Sequence, residues 1–160
     1  MKRYTVFFLT LGALLLSCAG CSLINKMNMA ENVDKTATRI HYTTLDNYYV
    51  RNDVDCSKLQ RLVLDNKRDF EGFFGEAAYM GGLPTEVNWK TQYVLAVILP
   101  ETNRATSVSP VTVKQDGLRV VLSYAVKRGD RMSHTMVPFT AVAIDKPARD
   151  EKMEIFFLEK

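Results

Sequence analysis

Covalent catalysis needs a hydroxyl or thiol beside a base, and a third group that orients the base. This chain of 160 residues offers two histidines and three cysteines for such a site. His41 and His134 both fall in segments with strand character. Ser133, next to His134, would project to the opposite face of a sheet, so the two cannot act together. The HExxH pair, paired CxxC motifs and a phosphate-cradling glycine loop followed by lysine do not occur, so zinc hydrolysis and nucleotide chemistry lack their ligands. Asp53 and Asp55 could offer oxygens to calcium, but calcium asks for six or more. A glycosidase dyad does not follow from carboxylate spacing alone. Arg128-Gly129-Asp130 matches an integrin-recognised tripeptide, yet Gly and Asp are also what a turn needs sterically. We therefore expect no enzyme, no metal and no cofactor. The remaining candidates are polar connections on a β scaffold, a common place for binding function: the Gly81–Pro84 segment, Thr102-Asn103-Arg104, and Arg128 to Arg131 with Asp130 between them.

The cysteines carry a clearer chemistry. Lys2 and Arg3 precede an uncharged run from Tyr4 to Leu16, and the small-residue segment Leu15-Leu16-Ser17-Cys18-Ala19-Gly20-Cys21 follows. The apolar run is shorter than the roughly 20 residues that span a bilayer, and it reads as an export signal. Its end resembles the bacterial lipobox, with an aliphatic residue at minus three and a small one at minus one before a cysteine that becomes acylated. Cys18 is the preferred register, with Leu15 and Ser17 in those places, and Cys21 is the alternative. Two lipid signals give stable anchoring where one acyl chain is marginal. With Cys18 lipidated, Cys21 and Cys56 could pair as a disulfide in an oxidising compartment. With Cys21 lipidated, Cys56 stands alone. Neither Ala19 nor Ser22 is the aspartate that retains lipoproteins at the inner membrane, so the expected location is the cell envelope at the outer membrane.

Cleavage of the signal removes Lys2 and Arg3 and lowers the formal charge from +3 to +1. A nearly balanced domain gives no electrostatic case for nucleic acid. The chain divides into a signal peptide over 1–17, a lipidated tether over 18–38 and a single β-rich domain over 39–160. The tether lacks a sustained hydrophobic period, and a short helix is its alternative reading.

The domain must position whatever the loops do. Arg39–Thr44 and Asn47–Arg51 are rich in aromatic and β-branched residues and read as strands. The Cys56–Gly75 stretch fits one long helix, but a break is the better reading: a strand at Arg61–Leu64, then Asn66 as N-cap with Asp69 three residues on, and Gly75 as a left-handed stop. Gln92–Leu99 is apolar on both faces, the mark of a central strand. Thr106–Lys114 and Leu118–Lys127 flank Asp116-Gly117, a hairpin signal. Arg128–Arg131 reads as another turn, Ser133–Asp145 as a strand with an edge or bulge at Pro138, and Met153–Leu158 as the last strand. The expected fold is α+β and β-rich, an antiparallel sandwich or small barrel of about seven strands with one short packed helix.

Three segments together carry a family resemblance: Leu62–Gly75 (LVLDNKRDFEGFFG), Leu83–Trp89 (LPTEVNW), and the long run from Tyr93 to Asp145. Their order is similar to that of the C-terminal domain of PrcB-type protease-complex subunits and of Bacteroides-type small lipoproteins. Where such domains often carry a threonine and two glycines after the central strand, this chain has Pro100-Glu101-Thr102-Asn103-Arg104-Ala105-Thr106. The resemblance supplies no catalytic residue. It implies a lipoprotein that binds another exported protein, a protease or its complex, and stabilises or restrains it. Two other expectations stand beside this one. One is a peptidase inhibitor presenting Thr102–Thr106, and the other is an envelope hydrolase built on scattered carboxylates and His134.

Overall fold

The computed structural model describes residues 19–77, 82–147 and 152–160, with side chains along the first helix described from residue 25 onward. Two four-stranded sheets pack face to face, in agreement with the expected β-rich sandwich, and they do not close into a barrel. A helix covers each outer face. The first, α1 (Ala19–Thr36), is the helical alternative of the segment read as a tether. The second, α2 (Lys67–Phe73), is the expected short helix.

Sheet A holds β1 (Thr38–Arg39), β7 (Thr102–Asp116), β8 (Arg119–Met136) and β10 (Glu154–Glu159), in the order β1-β7-β8-β10. Sheet B holds β2 (Thr43–Thr44), β9 (Phe139–Asp145), β6 (Gln92–Ile98) and β4 (Gln60–Leu64), in that order. A small sheet pairs β3 (Tyr48–Val50) with β5 (Phe74–Glu76). The Arg39–Thr44 segment is two bridges rather than one strand, because the chain crosses there from sheet A to sheet B. One pairing departs from the antiparallel expectation: β10 runs parallel to β8.

Alternation along the strands decides what each layer buries. Leu95, Val97, Val142 and Ile144 of sheet B meet Val113, Val120, Leu122 and Tyr124 of sheet A in the central core. On the other face of sheet B, Val94, Ala96 and Ile98 pack on Phe70 and Phe74, so β6 is buried on both faces as its sequence indicates. The outer face of sheet A turns Val121, Phe156 and Leu158 toward Ala30 and Val33 of α1.

Local signals explain the element boundaries. Asn66 caps α2 by accepting from the Asp69 N–H at 2.9 Å. Gly117, at φ +58°, makes the β7–β8 turn. Gly75 is not a left-handed stop but lies inside β5, where a Cβ would sit 2.5 Å from the Tyr49 ring, so close approach is what asks for glycine there. Pro138 falls between β8 and β9 and is not within a strand. No described helix is long and apolar enough to cross a membrane.

A partly buried ion cluster fixes α1 to sheet A. The Asp34 side chain is 12% exposed and pairs with Lys160 Nζ at 2.5 Å and Lys114 Nζ at 3.3 Å. Ser123 Oγ donates to its Oδ1 at 3.3 Å, and Lys114 also donates to its backbone carbonyl. Burial alone would raise the Asp34 carboxyl, but the hydrogen bonds and charges of the two lysines outweigh it and hold the carboxyl below its ordinary value.

Candidate functional site

The structure unites the two polar connections that the sequence presents as separate loops. Thr102, Asn103 and Arg104 are the first residues of β7, and Arg128, Asp130 and Arg131 lie within β8 rather than at a turn. Thr102 pairs with Met136, Arg104 with Arg131 and Thr106 with Arg128, so the residues sit side by side on one two-stranded ribbon. Gly129 lets the strands close up where a turn was expected: a Cβ there would stand 3.0 Å from the Ala105 carbonyl oxygen. Three extra residues of β8 are absorbed between the Thr102 and Arg104 pairs, a bulge that twists the ribbon.

This ribbon outruns its sheet. β1 pairs β7 only at Lys114 and Gln115, and β10 pairs β8 only from Arg119 to Tyr124. Beyond those points both outer edges are open, and residues 127 to 131 are all exposed. Arg104, Lys127, Arg128 and Arg131 make the region basic, and none of them joins an ion pair among the described residues. Arg104 Nη1 donates to the Gly129 carbonyl at 3.3 Å, which aligns it along the ribbon beside its cross-strand neighbour Arg131. Two like charges directly opposite on a ladder are unfavourable, so this pair is held at a cost to the fold. A shallow hollow of about 420 Å³ between Met132, Met136 and Ala105 adds apolar surface next to the charges.

The other sequence candidates resolve locally. Asp53 is engaged by Arg51 through two hydrogen bonds of 3.0 Å, and Asp55 accepts from the Ser57 N–H at 2.9 Å. Their carboxyls are lowered by those bonds, not by a metal-like grouping, and no cluster of three metal-ligating side chains exists among the described residues. His134 and Ser133 are exposed on β8, while His41 is exposed in the link between β1 and β2. Of the Gly81–Pro84 segment, Gly81 lies outside the described residues; the Leu83 carbonyl accepts from Asn47 Nδ2 at 3.0 Å. Cys18 also lies outside them, as does the side chain of Cys21. Cys56 is half-buried and joins no disulfide among the described residues; its thiol is pushed up by burial and by Asp55 and Glu101.

One feature is invisible to motif reading, a cleft of about 660 Å³ on the far side of sheet B. Its floor is an aromatic cluster centred on Phe70, with Tyr48 edge-on at 5.1 Å, Phe74 stacked at 4.9 Å and Trp89 tilted at 5.4 Å. Tyr48 Oη donates to the Thr85 carbonyl at 2.9 Å. Its phenol is raised by burial and then by the carboxylates of Glu76, Glu86 and Glu71. Arg51 lines both this cleft and a second hollow that continues past Cys56 to Glu101, at the base of the ribbon. Strand and helix patterns could not reveal a site assembled from residues so far apart in the chain. Comparison with family models, with characterised proteins and with solved structures finds no match to this chain.

Proposed function

We propose that the protein is an envelope lipoprotein, lipidated at Cys18 and held at the outer membrane, whose domain is a binding module without catalysis of its own. It docks onto another exported protein, a protease or its complex, and stabilises or restrains it. The observation that carries this reading is the basic ribbon with two open edges. Proteins ordinarily cover or blunt such edges, and an exposed edge can accept a strand from a partner. Here the cations keep copies of the same chain apart while suiting an acidic surface, and an acidic partner would relieve the Arg104–Arg131 repulsion. With the lipid on Cys18, the anchor would adjoin α1, which begins at Ala19 and is tied to sheet A through Asp34, Lys114 and Lys160.

The restraining form of the proposal differs from a loop inhibitor. Thr102–Thr106 is ladder, so what it can present to a protease is a strand edge rather than a convex loop.

The test is affinity capture from detergent-solubilised envelope with the full-length lipidated protein and with an Arg104→Glu/Arg128→Glu variant. The proposal expects a stoichiometric exported partner with the first and its loss with the second. Recovery of no partner, or equal recovery with both, would overturn it. Intact-mass measurement of the same preparation is expected to give a mature chain starting at acylated Cys18. A mass starting at Cys21 moves the lipid, and an unacylated mass removes the anchor.

A further inference from the structure

The cleft beneath sheet B has a charge balance that names its occupant. Of the two cations on its rim, Lys67 is held by Glu71 at 3.4 Å, and Arg51 is held by Asp53 at 3.0 Å. Glu76 and Glu86 are exposed and join no ion pair among the described residues. Two uncompensated carboxylates thus line the cleft together with the half-buried Tyr48 and Trp89. Because the Tyr48 hydroxyl is already spent on the Thr85 carbonyl, the ring offers its π surface and not a free donor. An aromatic face attracts a cation electrostatically, and more strongly as the cation loses water. Carboxylates at the rim add hydrogen bonds that suit a guanidinium above all. The volume, about 660 Å³, is that of a cleft for a drug-sized ligand, so a cationic side chain would enter with neighbouring residues of its chain.

We propose that this cleft binds an arginine or lysine side chain presented on an extended segment of a protein partner, seated over Trp89 and Tyr48 between Glu76 and Glu86. The ribbon would take an acidic face and the cleft a basic residue, so the two surfaces are separate handles that can fail separately. The cation is recognised at the faces of Trp89 and Tyr48, which pack on Phe70 and through it on Phe74.

Trp89 is the single tryptophan of the chain and therefore reports on the cleft directly. The experiment is a fluorescence titration of the full-length protein in detergent with a capped Ala-Ala-Arg-Ala-Ala peptide. The same peptide with citrulline and guanidinium chloride serve as the other two arms. The expected result is a saturable change with the arginine peptide alone, weakened about tenfold in a Glu76→Gln/Glu86→Gln variant, at a few-fold per exposed carboxylate. Both positions are exposed, so the variant is expected to keep the wild-type melting temperature. No saturable change up to about 10 mM, an equal response to citrulline, or an unchanged affinity in the variant would overturn the site. An equal response to guanidinium chloride would overturn the peptide as its occupant.

Discussion

Replacing Asp34 by alanine tests how firmly α1 belongs to the domain. The variant leaves Lys114, whose side chain is 21% exposed, without its carboxylate, and Lys160, 43% exposed, without its partner. Removing one member of a buried pair costs about 3–5 kcal/mol, whereas an exposed pair is worth at most about 1 kcal/mol. The Lys114 side lies nearer the first limit and the Lys160 side nearer the second. A loss of about 2–3 kcal/mol is therefore expected, or about 6–12 °C in melting temperature for a domain of this size. The assay is thermal unfolding by circular dichroism, with hydrogen exchange resolved on α1. Faster exchange confined to residues 25–36 would show the helix leaving the sheet before the sandwich melts. The pH dependence has a fixed sign. Because the folded Asp34 carboxyl lies below its ordinary value, its contribution is present above about pH 4 and is lost as pH falls through the folded value. The gap between wild type and variant should shrink on acidification. A melting temperature within about 2 °C of wild type, or a gap independent of pH, would refute this role of Asp34.

Phe70→Ala removes the hub of the aromatic cluster and should cost about 3–5 kcal/mol in chemical denaturation. Gly72→Ala should stabilise by about 0.5–1 kcal/mol, since a methyl there meets nothing within 4 Å and α2 gains helix propensity. Gly117→Ala should destabilise by about 1 kcal/mol, because its φ of +58° strains an L side chain. Arg104→Glu should raise ribbon stability by a few tenths of a kcal/mol, through the pair made with Arg131, even as it weakens partner binding. The raised Cys56 thiol should react with a thiol reagent at neutral pH more slowly than after unfolding, and the difference should narrow as pH rises.

The parts of the fold legible in the sequence were those set by local chemistry. Asn66 and Asp69 announce α2, Asp116-Gly117 announces the turn, and the unbroken apolar run of β6 announces a strand buried on both faces. Long-range satisfaction was not legible. The stripe that docks α1 is thin, Ala30 and Val33, and its Asp34 is neutralised by lysines 80 and 126 positions away. Arg128–Arg131 looked like a turn because four polar residues including a glycine usually are one. In the ribbon that polarity marks exposure, and the glycine marks close approach to Ala105. The cleft was hidden for a similar reason: Tyr48, Phe70 and Trp89 each satisfy an ordinary core pattern, and only the packed layers bring them under Glu76 and Glu86.

Site-specific photocrosslinking in intact cells reaches the central claim most directly. A crosslinking side chain at Arg131, on the ribbon, is expected to give one dominant adduct with an exported protein, and the same group at the exposed Asp116, at the opposite end of β7, is expected not to. An adduct at neither position, or the same adducts at both, would contradict a domain that docks through its ribbon.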